Sequence, residues 1–330
     1  MKHGLCIAVA AAMVVGAAGI SAQALKPAPA AKNSTWVQAK TPDGQPDLQG
    51  TWTNASNVPL QRPKELGAKE FFTEQEQIDY LRAKNGYAGD RANLPQAHYD
   101  LSQFGLDRSQ GKFAPNLRTS MITGPEGKLP AFTAEGQQRV AARAAALKGH
   151  EADGPENRTL GERCIVNNAT GPPMMPAGYN NDLEIVQGPG YVAIFQEMIH
   201  DVRVIPLDGR PHAPAGVRGY RGDPRGRWEG NTLVVDSTNF NGKTFFNRIP
   251  MTDQFHLIER FTRTGPDTIS YQFTVEDPGT WVKPFTAEIV MGPAPGQIYE
   301  YACHEANHSM ENLLSSARNN EKEAAEKTKK

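Results

Sequence analysis

The chain has almost no excess charge: 35 Lys and Arg stand against 36 Asp and Glu, a formal net charge of −1. The basic residues are scattered rather than striped. Both features argue against a nucleic-acid partner or an anionic surface. The chain lacks a G-x-G-x-x-G after a strand, a Walker loop and a G-x-S-x-G elbow. Dinucleotide, nucleoside-triphosphate and serine-hydrolase chemistry are therefore without support. Past residue 24 no apolar run approaches the roughly 20 residues that a membrane span needs. Cysteine is scarce, with 3 in 330 residues, at positions 6, 164 and 303.

What is there begins with an export signal. Met1-Lys2-His3 is a short positive start, Leu5 to Ile20 is apolar, and Ala22-Gln23-Ala24 is an A-x-A cleavage signature. Residues 1–24 are expected to be a signal peptide, with a periplasmic or secreted mature chain starting at Leu25. Only Cys164 and Cys303 survive that cleavage, and two cysteines in an oxidising compartment are expected to pair. Residues 25–47 are rich in Pro, Ala and Lys without periodicity and read as a flexible leader.

Residues 48–318 read as one β-rich domain. Leu48 to Thr53 looks like an opening strand. Thr73-Glu74-Gln75-Glu76 is a capping box that starts a helix running to about Lys84. Thr133 opens a second helix, with Val140 and Leu147 on one apolar face. Residues 85–128 between them are irregular, so 70–150 forms a helical and irregular insert. From residue 183 onward the pattern turns to strands, at 183–186, 191–197, 202–207, 232–237, 255–262, 268–275, 285–291 and 298–303. Tight-turn signals such as Gly188-Pro189-Gly190 and Glu229-Gly230-Asn231 separate them. The pattern predicts a mainly β fold, an antiparallel up-and-down meander closed into a barrel or folded as a sandwich. The charged tail 319–330 is expected to be disordered.

Gly50-Thr51-Trp52 resembles the Gly-x-Trp opening strand of lipocalin barrels. The stretch Arg227-Trp228-Glu229-Gly230-Asn231-Thr232-Leu233-Val234-Val235-Asp236 resembles a large group of exported bacterial proteins, many of unknown function. The likeness extends to Leu160-Gly161-Glu162-Arg163-Cys164, His200-Asp201-Val202-Arg203, Val275-Glu276-Asp277-Pro278 and Glu300-Tyr301-Ala302-Cys303-His304-Glu305. It covers most of the chain from about Pro46 and implies membership without an activity.

Three functions fit these residues. In the first, a cofactor-free lyase, isomerase or hydrolase uses His256, Arg260, Glu300 and His304. Period-2 alternation puts His256 and Arg260 on one strand face, and Glu300 and His304 on another. A His with a carboxylate partner suits acid–base work, and an Arg holds an anion. A solvated cross-strand ion-pair ladder explains the same pattern. In the second, His304-Glu305-Ala306-Asn307-His308 matches H-E-x-x-H, which on a helix makes His304 and His308 zinc ligands. The third is a non-catalytic binding protein for an apolar or aromatic compound. No cofactor is expected outside the zinc alternative, and the expected partner is a small molecule.

Overall fold

The computed structural model describes residues 36–80, 116–124, 126–294 and 296–328. The expected signal peptide and most of the irregular 85–128 segment lie outside the described residues.

The strands are β1 (Gly50–Thr53), β2 (Asp182–Gly188), β3 (Tyr191–Gln196), β4 (Asp201–Pro206), β5 (Asp223–Glu229), β6 (Thr232–Thr238), β7 (Phe245–Phe246), β8 (Ile249–Pro250), β9 (His256–Gly265), β10 (Thr268–Glu276) and β11 (Phe285–Pro293). Nine of them form one antiparallel sheet in the order β4-β3-β2-β1-β11-β10-β9-β6-β5, and β7 and β8 form a separate hairpin. β1 pairs with β2 on one side and with β11 on the other. The first and last strands are thus joined, and the two ends of the sheet fall at β4 and β5. No ladder joins those ends among the described residues. They are nonetheless close. A Cβ on Gly226 of β5 would lie 2.8 Å from Ile205 Cγ2 and 2.5 Å from Leu207 Cδ2.

Alternation makes one face of the sheet the core. β10 buries Ile269, Tyr271, Phe273 and Val275; β9 buries Leu257, Glu259 and Phe261; β11 buries Ala287, Ile289 and Met291. Trp52 joins this core from β1, its indole N–H donating to the Leu48 carbonyl at 3.0 Å and the Arg263 guanidinium lying over its ring. Each large apolar side chain buried this way contributes about 1.5–3 kcal/mol. β5 escaped the sequence reading because Pro224 and Gly226 break its pattern. Proline in a sheet is confined to end strands, first positions and bulges, and β5 is an end strand.

The Thr73 capping box forms as expected. The Thr73 amide donates to Glu76 Oε2 at 2.8 Å, and the Glu76 amide donates to Thr73 Oγ1 at 3.2 Å, ahead of helical residues 74–80. α1 (Ala134–Leu147) starts at Thr133, whose Oγ1 accepts from the Gly136 amide at 3.0 Å. Gly136 lets the helix approach residue 280, because a Cβ there would stand 2.5 Å from the Thr280 carbonyl oxygen.

Three expectations are corrected. Residues 36–47 of the leader are tied to the sheet: Lys40 bridges Pro46, and the Gln187 side chain binds the Leu48 amide and the Pro46 carbonyl. Residues 298–303 are not a strand. The charged stretch from 319 belongs to a long helix, α2 (Ser309–Thr328), which starts beyond the disulfide and presents no buried residue. No helix among the described residues is long and apolar enough to cross a membrane.

Candidate functional site

The four residues expected to share an acid–base site are not gathered. β9 turns Leu257, Glu259 and Phe261 inward, so His256 and Arg260 lie on the outer face. There His256 Nε2 meets Asp236 Oδ1 of β6 at 3.1 Å, and its Nδ1 meets Glu276 Oε2 of β10 at 2.9 Å. His212, from the β4–β5 connection, contacts the same Asp236 oxygen at 3.1 Å and Asp223 at 3.2 Å. The result is a row of alternating acids and imidazoles across β5, β6, β9 and β10. Hydrogen bonding to Asp236 outweighs desolvation and, with Glu276, pushes His256 up to about 9. Arg260 donates to Glu229 Oε2 at 2.8 Å. These are cross-strand pairs on the solvent side. They form the ladder that the alternation equally allowed, and a histidine held protonated at neutral pH is a poor base.

Glu300 and His304 lie instead in the segment that follows β11, and both are exposed. Cys303 between them is bonded to Cys164, with Cα atoms 5.8 Å apart. The H-E-x-x-H segment is not helical. Ala306 has a left-handed φ of 52°, which breaks the one-turn spacing that zinc ligation by His304 and His308 needs. Among the described residues no three His, Cys, Asp or Glu converge as a metal-binding group.

Sequence reasoning missed a polar cluster inside the sheet. Arg203 of β4 is 4% exposed and grips Glu259 of β9, which is 0% exposed. Arg203 Nη1 donates to Glu259 Oε1 at 2.9 Å, and Nη2 donates to Ser237 Oγ at 3.2 Å. The Tyr271 hydroxyl donates to Glu259 at 2.8 Å and accepts from the Met174 amide at 3.0 Å. Burial first, and the Glu259 charge second, push the Tyr271 phenol well above its usual range. So little exposure leaves the cluster no access to a ligand. Its signal was a charge at position 203 in the inward phase set by Ile205.

The accessible space lies in the loops. The 157–168 segment has a cavity on each side, and Thr159, Gly161 and Asn167 border both. One is a groove of about 680 Å³ against the C-terminal segment, lined by Glu162, Tyr179, Glu300, Tyr301 and Glu305 with Leu313 of α2. Burial, then the Tyr179 phenol, pushes Tyr301 up to about 12. The other, about 520 Å³, lies between α1 and the β7–β8 hairpin, with Arg143, Arg158 and Arg248 in its wall. Arg158 reaches across to Glu162 at 2.5 Å. Burial of Glu162 is outweighed by hydrogen bonds from Thr159 and Arg158, which hold its carboxyl below the usual range. Of the sequence candidates, Glu300, Glu305 and the Cys303–Cys164 pair border the groove.

Left-handed non-glycine residues occur in these walls: Cys164 (φ 55°) in the groove and Arg248 (φ 68°) in the second cavity. Such conformations cost about 1–3 kcal/mol and cluster at functional sites. Compared with models of known families, with curated proteins and with solved structures, the chain finds no match in any of the three.

Proposed function

We propose that the chain is an exported protein whose sheet curls into a lipocalin-like barrel and that binds a small molecule at the loop-built end. The observation that carries this reading is the pair of cavities flanking residues 157–168. Their volumes, about 680 and 520 Å³, fall in the roughly 300–1,000 Å³ range of small-molecule sites. Curling is supported by the double pairing of β1, the approach of Gly226 to β4, and the reach of Arg203 from β4 to Glu259 on β9. Export is supported by the A-x-A segment and by the cysteine pair. Binding without covalent chemistry is favoured over acid–base turnover, because His256 and Arg260 belong to an outer ladder remote in sequence and partners from Glu300 and His304.

A thermal-shift screen of a small-molecule library against the mature protein tests this. A ligand present at 100 times its Kd stabilises by about 2.7 kcal/mol. At least one compound is expected to raise Tm. Its effect should be lost in Leu313→Trp, which fills the groove, or in Leu147→Trp, which fills the second cavity. A silent screen, or hits indifferent to both variants, would overturn the reading.

A further inference from the structure

The two cavities differ in charge. The groove carries Glu162, Glu300 and Glu305 and no basic side chain, whereas the second cavity carries three arginines and no carboxylate. In a chain with a net charge of −1 this separation is local and sharp.

The arginines of the second cavity are only partly used. Arg248 has no hydrogen-bond or ion-pair partner among the described residues. It sits at the second position of the two-residue turn between β7 and β8, after Asn247, with both residues at positive φ. That turn type calls for Asn-Gly, so glycine is the unstrained choice and an arginine there is held against a conformational penalty. Arg143 of α1 lies over the Phe245 ring, 4.6 Å from its centroid, with its charge unpaired by any described carboxylate. Arg158 donates to the Glu151 carbonyl and to Glu162, while its Nε is buried without a partner. Such an atom can be satisfied by water or by a ligand's acceptor. Leu147, Leu160, Val166 and Phe245 give the wall its apolar surface, beside Asn157, Thr159, Asn167 and Asn168.

We infer that this cavity binds an organic anion with an apolar body, its charged end received by Arg143, Arg158 and Arg248 and its body lying on Leu147, Leu160 and Phe245. The inference rests on the small-molecule reading above and narrows it to one cavity and one ligand charge. Arginine suits the task, since its planar fork donates to a carboxylate through two parallel bonds.

Three probes of one shape and different charge decide the matter by isothermal titration with the full mature chain, below their micelle concentrations: decanoate, decan-1-ol and decylamine. Decanoate should bind, with decanol weaker and decylamine undetected. Arg248→Gln and Arg143→Gln should each weaken decanoate by about tenfold or more, the scale of one charge-assisted hydrogen bond. Arg227→Gln, at an exposed arginine of β5 that lines neither cavity, should leave decanoate binding unchanged. Arg248→Gly separates binding from folding: it relieves the left-handed strain, so Tm should rise while decanoate binding falls. Decanol or decylamine binding as tightly as decanoate overturns the inference and leaves the small-molecule reading standing. So does full decanoate affinity in both Arg248 variants. Failure of all three probes overturns the inference, whereas the small-molecule reading fails only with a silent library screen or with hits indifferent to both tryptophan variants.

Discussion

Arg203 of β4 and Glu259 of β9 form a two-pronged ion pair inside the sheet, 56 residues apart in sequence. β4 ends one side of the sheet, and β9 lies third from the other end. The pair therefore bridges two strands that lie far apart in the sheet order and share no ladder among the described residues. Glu259→Ala should cost about 3–5 kcal/mol, because it leaves the Arg203 charge buried and unpaired. The double variant Arg203→Met/Glu259→Leu should recover most of that loss. Urea unfolding of the three proteins checks both expectations. A double variant as unstable as the single one would show that the pair is needed for more than charge neutralisation.

His256 should titrate with a midpoint near 9, read from its ring signals by NMR. The folded value lies above the roughly 6.5 of an unfolded histidine. Its contribution to stability is thus fully present below pH 6.5 and fades as pH rises towards 9. In His256→Gln the loss of stability between pH 7 and 10 should flatten. Asp236→Asn should bring the midpoint down more than Glu276→Gln does, since the Asp236 hydrogen bond is the larger cause.

Glu197, just beyond β3, shows the opposite sign. Burial first, and the Asp182 charge second, raise its pKa, while the Tyr299 amide and Asn180 hold its carboxylate only in part. A carboxyl raised in the folded state weakens the fold where it is ionised, and stability grows as pH falls through the folded value. Glu197→Gln keeps an acceptor for the Tyr299 amide and removes the charge. It should raise Tm at pH 7, with little change near pH 4. A lower Tm at pH 7 would refute this account.

The bond between Cys164 and Cys303 closes a span of 139 residues and holds the C-terminal segment against the 159–167 loop. In the chain-entropy model a loop of that length is worth about 5 kcal/mol. Cys303→Ser should lower stability by about 2–5 kcal/mol and expose residues 298–308 to protease before the sheet unfolds. Denaturant curves with limited proteolysis measure both effects.

Local chemistry made much of this legible in advance. Runs of β-branched and aromatic residues bounded by turn signals located β2, β3, β4, β6, β9, β10 and β11, because such side chains fit a pleated, half-buried surface. Thr73 and Thr133 announced their helices through caps that act within three residues. The cysteine pairing followed from the expectation that export leaves Cys164 and Cys303 together in an oxidising compartment. Where alternation gave two faces, it could not say which was the inside. His256, Ile258 and Arg260 share a phase opposite to Leu257, Glu259 and Phe261, and both faces carry charge. The inward face is the one that buries Leu257 and Phe261, and Arg203, from a strand 56 residues earlier, neutralises the Glu259 buried with them.

By itself, then, the sequence determined the strand pattern, the helix starts, the balanced charge and the two cysteines, since these depend on neighbours a few residues apart or on composition alone. Only the tertiary structure decided the rest. It turned Glu259 inward and left His256 in an outer ladder. It made the H-E-x-x-H segment a turn by a left-handed Ala306. It also set Arg143, Arg158 and Arg248, from a helix, a loop and a hairpin, around one cavity. The physical reason is the same in each case: burial, charge pairing and cavity walls are made by residues far apart along the chain, and no local rule carries that information.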